Sequence, residues 1–274
     1  MYDKNMINVT KASGGKEEFS EEKVLSSIKR AGIPSEIQDQ VLSHVKTKIY
    51  EDIPTSEIYR HITEFLGNSH PWSRSRYSLK QAIMDLGPTG YPFEDFVAEV
   101  LKTEGYTTEV RQVLNGKCVS HEIDVIATKD GSKTMIECKF HNRPGTRSKI
   151  HVSLYTKSRF DDVREQHDLS NAWLVTNTKI TSDALSYAHC NNMKVVSWSY
   201  PEGESLRDLI EKSRLHPITS LESINQSQKQ KLLDQGVVLC KTICQNKNLI
   251  EQLEISDEQR KKFEEELNFI CSVT

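Results

Sequence analysis

The 274-residue sequence predicts a multidomain protein: an α-helical first domain with a small N-terminal β-hairpin, an α/β domain with a mixed sheet flanked by helices, and an all-α C-terminal domain. Two observations predict this division. Apolar residues recur at helical spacing at both ends of the chain, whereas strand and helix patterns alternate between them. A Gly-Pro-Thr-Gly stretch at residues 87–90 interrupts the first helical pattern. The predicted domains are residues 1–88, 89–214 and 215–274.

The composition excludes some classes of protein. The formal net charge is −3, so the chain as a whole is not a basic nucleic-acid binder, and any contact with nucleic acid has to come from a local patch. The sequence has no N-terminal apolar run and no long apolar stretch. We therefore expect a cytoplasmic protein without a membrane partner.

The first domain begins with one short strand and continues as helices. Alternation predicts a strand at residues 7–11, and the glycines that follow predict a turn. Ser20 is the expected N-cap of the first helix, because acidic residues occupy the first turn and an apolar stripe follows. Further helices are predicted at about residues 35–50, from residue 53 onward and at about residues 74–86.

Three stretches of this domain carry a family resemblance: VTK at 9–11 with Gly14, FSEEKV at 19–24 and YSLKQAI at 77–83. They resemble an ATP-cone, the small nucleotide-binding regulatory domain at the start of ribonucleotide reductases and some bacterial transcription repressors. The resemblance implies that ATP or dATP binds as an effector. The implied nucleotide-binding residues are Val9, Lys11, Gly14, Lys23, Tyr77 and Lys80. Ala12 stands where the family pattern has an arginine, so one phosphate-facing charge is missing.

The same residues have a simpler interpretation. A glycine-rich turn can offer backbone N–H groups to phosphate, and lysines act on phosphate as point charges. Equally, Gly14 and Gly15 can form an ordinary hairpin turn beside solvated lysines. In that case the domain no longer binds nucleotide and serves as a dimerisation wedge.

The second domain has at its centre two strands, at residues 122–127 and 134–140, joined by an Asp-Gly turn. We expect Asp124, Glu137 and Lys139 to project from strand faces that meet at one spot. Two carboxylates and an ammonium group suit a Mg²⁺ ion that is held by one or two carboxylates, water and a substrate phosphate. Alone, an acidic-x-Lys pair is a weak signal, since it is common on solvated strand faces.

Four stretches between residues 90 and 212 strengthen that signal: YPFEDF at 91–96, EIDVI at 122–126, IECK at 136–139 and AWLVTN at 172–177. They resemble the PD-(D/E)xK nucleases, and within them the Mrr-like restriction endonucleases. The resemblance implies a metal-dependent endodeoxyribonuclease that hydrolyses phosphodiester bonds of DNA. It assigns Mg²⁺ or Mn²⁺ to Asp124 and Glu137, with Lys139 and Glu94 as further catalytic residues. Ile123 stands where the pattern has a proline.

Two of these features keep a second interpretation. Glu94 is either a carboxylate near the metal or an acid that stabilises the start of its helix. The segment from His141 to Phe160 contains basic residues and no acidic residue, and it is either a DNA phosphate track or a solvated loop. The candidate DNA-binding residues are Arg143, Arg147, Lys149, Lys157 and Arg159.

The third domain reads as helical throughout and loosely resembles tandem helix-hairpin-helix or SAM-like arrays. The Gly-hydrophobic-Gly hairpin that grips DNA phosphate is absent from the sequence, which offers only Gly236 there. The pattern therefore favours a packing or oligomerisation domain over a DNA-reading one.

Together these features predict a nucleotide-regulated, Mg²⁺-dependent DNA endonuclease of a restriction or DNA-defence type. We expect a homo-oligomer, a dimer or a tetramer, because cutting both strands of a duplex needs two active sites. The alternative is a nucleotide-sensing DNA-binding regulator with an inactive nuclease fold. A purely structural interaction module would explain neither the carboxylate–lysine motif nor the basic segment.

Overall fold

The computed structural model describes residues 7–12, 14–69 and 72–271. The chain divides into two compact units, and each is continuous in space but not in sequence. The first unit runs to Leu79 and includes Ser220–Asn225 and the chain from Ile255 onward. The second comprises Lys80–Thr219 and Gln226–Glu254. The three consecutive domains stay a prediction. This division differs from them because it places the last helix in the first unit and residues 80–88 and 226–254 in the second.

The first unit contains the expected hairpin. Strand β1 (Asn8–Thr10) pairs antiparallel with β2 (Lys16–Glu18). The connecting turn needs a left-handed residue, which Gly14 supplies with a φ of 84°. Helices α1 (Glu21–Arg30) and α2 (Ser35–Lys46) come next. They are followed by a third strand, β3 (Ile53–Pro54), which pairs parallel with β1. The sequence pattern predicts only the start of a helix at these two residues.

The next helices along the chain are α3 (Thr55–Ser69), α4 (Ser73–Tyr77) and α5 (Leu79–Met84), of which α5 lies in the second unit except for Leu79. The prediction of one continuous helix at 74–86 was wrong, because the chain turns at Ser78. That turn lets the Tyr77 ring stack on Tyr59, at 5.4 Å between centroids, while its hydroxyl contacts Ser27. The Ser20 side chain caps α1 as expected, accepting a hydrogen bond from the Lys23 N–H.

The second unit is built on a five-stranded mixed sheet. Its elements are α6 (Tyr91–Thr103), β4 (Thr107–Asn115), β5 (Ser120–Lys129), β6 (Ser132–Lys139), β7 (Arg147–Ser148), α7 (Ile150–Val163), β8 (Leu169–Thr176), β9 (Lys179–Ile180), α8 (Ser182–Cys190), β10 (Lys194–Val196) and α9 (Leu206–Ser213). The sheet order is β10-β8-β6-β5-β4; β4, β5 and β6 are antiparallel, and β6, β8 and β10 are parallel. Strands β7 and β9 form a separate parallel pair. The mixed sheet was predicted.

Helices cover both faces of this sheet. Leu174 faces α7 and α8, where Val152, Phe160 and Ala188 complete a buried core. Its neighbour Trp173 faces the opposite side, toward α6 and α9. The β5–β6 hairpin turns through Asp130 and Gly131, both with positive φ, as the Asp-Gly signal predicts.

The C-terminal part is helical, with α10 (Gln226–Leu233), α11 (Cys240–Gln245), α12 (Asn248–Glu251) and α13 (Asp257–Cys271) after a 3₁₀ turn at Ile218–Ser220. Helix α13 joins the first unit through Glu266, a fully buried carboxylate. It accepts hydrogen bonds from the Ser75 hydroxyl at 2.6 Å and from the Ser223 N–H at 2.9 Å. Among the described helices, none has the length and apolar character needed to cross a bilayer.

Candidate active site

The site begins where β5 and β6 stop pairing. Their ladder ends at Val125 opposite Ile136, one residue before Asp124 and Glu137 would face each other. Beyond that point the Asp124 side chain replaces the backbone as hydrogen-bond partner of β6: its Oδ2 accepts a hydrogen bond from the Cys138 N–H at 2.7 Å. The Asp124 carboxylate is thereby held against β6, beside Glu137.

Strand β6 supplies the other two residues of the motif. Glu137 and Lys139 are two residues apart and so share one face of the strand. Parallel pairing with β8 sets them opposite Leu174 and Thr176. The Glu137 side chain is 12 % exposed and forms an ion pair with Arg159, which reaches it from α7. The structure therefore brings Asp124, Glu137 and Lys139 together, as the sequence predicts.

Glu94 reaches the same place from the first turn of α6. It is 7 % exposed. Its Oε2 lies 3.4 Å from Nη1 of Arg111, whose Nη2 donates to Asp95 Oδ1 at 2.7 Å. Arg111 adopts a positive φ of 51° in the middle of β4. This arginine aligns both acids of α6 with the sheet.

The electrostatics show that the three carboxylates interact. Burial raises the pKa of Glu94 to about 7, and the charge of Asp124 adds to the rise. Burial likewise raises the pKa of Glu137 to about 7, and the charges of Asp124 and, more weakly, of Glu94 add to this rise. Burial also raises the pKa of Asp124. The hydrogen bond from the Cys138 N–H acts in the opposite direction, but burial is the larger effect. Clustered acids with raised pKa values are typical of functional sites, and a bound cation relieves their repulsion.

The donor set fits a hard divalent cation. In the described ranges, no group of three or more His, Cys, Asp or Glu side chains is arranged as a metal cage. Mg²⁺ does not require one, because it keeps several waters and takes one or two carboxylates plus substrate phosphate. Asp124 Oδ1 and Glu137 Oε1 accept no hydrogen bond from a described residue, since only the other oxygen of each is engaged. Two carboxylate oxygens are thus free to bind Mg²⁺ or Mn²⁺.

The predicted DNA-binding residues separate into two groups. Arg143, Arg147 and Lys149 are exposed on the segment that follows β6, and none forms an ion pair with a described residue. Lys157 instead pairs with Asp161 on α7, and Arg159 is buried against Glu137. The three exposed residues form an open basic surface, and the other two do not belong to it.

This basic surface includes Lys179, which the sequence did not single out. Pairing of β7 with β9 sets Arg147 opposite Lys179. Lys80 is near it: desolvation lowers the pKa of Lys80, and the ammonium of Lys179 lowers it further. Lys80 also lies over the Trp198 ring, 5.8 Å from its centroid. The cone resemblance assigns Lys80 to the nucleotide site, and the structure places this residue in the second unit.

The other predicted nucleotide-binding residues lie in the first unit. Val9, Lys23 and Tyr77 line a cavity of about 260 Å³, together with Tyr59 and Glu17. The ammonium groups of Lys11 and Lys23 both contact Glu17 Oε2, at 2.6 and 2.8 Å. Gly14 lies in the adjacent hairpin turn, where a Cβ would meet nothing within 4 Å. A carboxylate thus occupies the position between the two lysines.

Sequence reasoning missed the partners of the acidic residues. Arg111 is 16 and 17 residues from the two acids it aligns, and nothing in its neighbourhood marks it. Arg159 did carry a signal: Thr156, Arg159, Phe160 and Val163 recur at helical spacing and are all buried. A buried arginine on such a face needs an acidic partner.

The mixed sheet, with Asp124 on one strand and Glu137-x-Lys139 on the next, defines a restriction endonuclease-like domain. A family model described as "Restriction endonuclease" matches residues 88–209, which confirms that prediction. A second model, described as "AF1548-like, C-terminal", matches residues 216–271. The cone resemblance of the first domain stays a prediction.

The chain belongs to the AF1548-like family. An uncharacterized protein of Archaeoglobus fulgidus is 40 % identical over 147 residues, which are 54 % of this chain and 83 % of that protein. The crystal structure of AF1548, a protein of unknown function, matches with 34 % sequence identity and a TM-score of 0.59. This match covers 68 % of the present chain and 100 % of the AF1548 chain. A repair endonuclease from Pyrococcus abyssi is 17 % identical with a TM-score of 0.32, covering 40 % of this chain and 46 % of its own, too slight a likeness to support a conclusion.

Proposed function

We propose that this protein is a divalent-metal-dependent endonuclease that hydrolyses phosphodiester bonds of DNA. The observation that carries the proposal is the convergence of Asp124, Glu137 and Lys139, with buried Glu94 beside them. The domain's match to a restriction endonuclease model supports the same class of reaction. An exposed basic segment directly follows the motif, where a DNA backbone would need it.

Each residue has a role that its surroundings favour. Asp124 and Glu137 hold Mg²⁺ or Mn²⁺, and when bound the ion supplies Lewis-acid stabilisation and a more acidic water. Lys139 places a positive charge where negative charge develops on the phosphate. Glu94, buried beside Asp124, accepts a proton from the attacking water.

The DNA backbone follows the basic surface made by Arg143, Arg147, Lys149 and Lys179. Neutralising phosphates releases counterions, so these contacts supply affinity that does not depend on sequence. Lys157 contributes less than the sequence predicts, because Asp161 already neutralises it. Arg159 has a different role, argued below.

The rival from another class is a DNA-binding regulator with an inactive nuclease fold. It predicts DNA binding without cleavage. A cleavage assay separates the nuclease from the regulator. In this assay the wild type, Asp124→Ala and Lys139→Ala are each purified and incubated with supercoiled plasmid and Mg²⁺. Lys133→Ala is the matched control for Lys139→Ala, because Lys133 is exposed on the same strand.

We further propose that ATP or dATP regulates the protein from the first unit. The supporting observation is the cavity with stacked Tyr59 and Tyr77 and two lysines at Glu17. Hydrolysis of a phosphodiester needs no energy from ATP, so the nucleotide acts as an effector. It shifts an equilibrium between states by its differential affinity, typically worth about 1–3 kcal/mol.

The states that we propose for this regulation are oligomers of the cytoplasmic protein, dimer or tetramer, with the C-terminal helices contributing packing surface. Calorimetry with ATP, dATP and ADP, followed by sizing with and without ligand, tests the switch. We expect binding at millimolar nucleotide or below and a change in oligomeric state or cleavage rate. Binding without either response, or no binding, would rule the switch out.

A further inference from the structure

Arg159 neutralises the acidic cluster from within the protein. Its side chain is 8 % exposed and pairs with Glu137, which is 12 % exposed. The partners belong to different elements, α7 and β6. A buried charge is unfavourable unless it is paired, so this ion pair is what makes burial of both groups tolerable without a metal ion.

The guanidinium group of Arg159 is only partly satisfied. Nη1 donates to Glu137 Oε2, and the face of the group lies over the Tyr155 ring, 5.1 Å from its centroid. Its Nε is buried and has no hydrogen-bond partner among the described residues. A buried donor without an acceptor points to a group that binds there, such as a water or an anionic oxygen. Arginine donors match phosphate oxygens well.

The neighbouring acids do not compete for Arg159. Asp161 pairs with Lys157, and Asp162 accepts hydrogen bonds from His121 and from the Cys118 and Val119 N–H groups. From the sheet, the charges of Asp124 and Lys139 act on the same carboxylate, Glu137. Arg159 is thus directed at Glu137, one of the two proposed metal ligands.

We propose that Arg159 competes with the divalent cation for Glu137, and that cation binding releases the guanidinium group to a phosphate oxygen of the DNA. This inference rests on the proposed function. A cation and a guanidinium group repel each other, so Arg159 weakens metal binding in the free protein. DNA phosphate offers Arg159 a new partner, so metal and DNA bind cooperatively, and the coupling is reciprocal.

Metal binding can be measured without cleavage. Calorimetry of the metal-free protein with Mn²⁺, in the absence of DNA, compares the wild type with Arg159→Met. The matched control is Arg164→Met, which removes an exposed arginine at the end of α7. Removing a positive charge next to the site should tighten Mn²⁺ binding by at least about tenfold, and the control should not change it. Circular dichroism reports whether each variant is folded.

Two further arms keep the test decisive. Arg159→Lys loses the planar fork that pairs with Glu137 but retains a positive charge, so it should bind Mn²⁺ more tightly than the wild type and less tightly than Arg159→Met. It remains the test if the methionine variant does not fold. With a short duplex added, Mn²⁺ affinity should rise more in the wild type than in Arg159→Met, because a DNA phosphate contacts the ion in both proteins but gives a new partner to Arg159 only in the wild type. Equal or weaker Mn²⁺ binding by the variants overturns the role of Arg159. Failure of the wild type to bind Mn²⁺, with and without the duplex, overturns the proposed function itself.

Discussion

The carboxylate of Asp124 accepts a hydrogen bond from the Cys138 backbone N–H, 2.7 Å away, at the point where β5 and β6 stop pairing. A side chain thus replaces a strand partner, and the same contact fixes one metal-ligand candidate beside the other. Because one carboxylate both completes the hydrogen bonding of β6 and forms part of the site, a change at Asp124 should affect the stability of the fold.

Asp124→Ala should destabilise the metal-free protein, because it leaves the buried Cys138 N–H without an acceptor, a loss worth about 1–3 kcal/mol. Asp124→Asn keeps an acceptor oxygen and removes a charge that repels Glu94 and Glu137, so it should cost less or stabilise the fold. Urea unfolding in EDTA measures the free energy of both variants. Equal losses would show that the hydrogen bond does not matter.

The acidic cluster predicts a pH dependence of stability. Glu94 and Glu137 have folded-state pKa values of about 7, above their ordinary value of 4.5. In this range the folded state binds more protons than the unfolded state, so stability falls as pH rises from about 4.5 to about 7. Melting temperatures in EDTA should follow this slope, and Mn²⁺ or Glu137→Gln should flatten it. A slope that is the same in EDTA and Mn²⁺ would contradict a metal site at these acids.

The basic surface predicts a salt dependence. Arg147→Ala and Lys149→Ala should each weaken binding to all DNA sequences alike and lower the slope of log affinity against log salt by about one unit. Lys179→Ala should behave similarly. Lys157→Ala is the control, since Asp161 already neutralises that lysine. Fluorescence anisotropy in EDTA measures the slopes, and a sequence preference that changes at constant slope would argue against backbone contacts.

In the first unit, Glu17 lies between Lys11 and Lys23, where the nucleotide regulation that we propose places a phosphate. Glu17→Gln frees Lys11 and Lys23 from their shared partner. We expect ATP or dATP to bind the variant several-fold more tightly by calorimetry, because a competing anion is gone. Glu36→Gln, at an exposed acid that does not line the cavity, should leave affinity unchanged. Equal effects of both substitutions would indicate a general change in charge.

Local patterns predicted the parts of the fold that local chemistry determines. The Asp130-Gly131 turn, the Ser20 cap and the strand that carries Glu137 and Lys139 all follow from residues within a few positions of each other. Together with the family resemblance, they were enough to bring Asp124, Glu137 and Lys139 to one place. Glu94 came from the family resemblance, because its position at a helix start alone indicates an acid that stabilises the helix.

Long-range contacts account for the rest. The basic segment after β6 shows which residues are positively charged, but not whether each side chain points to solvent or into the protein. Exposed Arg147 and buried Arg159 were therefore both predicted to bind DNA. The placement of α13 in the first unit depends on Glu266 and Ser75, which are 191 residues apart. No periodicity within either segment encodes such a contact.

The nicking rate of supercoiled plasmid tests the central claim most directly. With Mg²⁺ present, the wild type and Lys133→Ala should convert plasmid to nicked or linear forms at the same rate. Asp124→Ala and Lys139→Ala should each be slower by at least about a hundredfold, since each removes a metal ligand or the charge that stabilises the transition state. EDTA should abolish the reaction. Equal nicking by all four proteins, or none by the wild type with Mg²⁺ or Mn²⁺, would contradict the assignment of a nuclease.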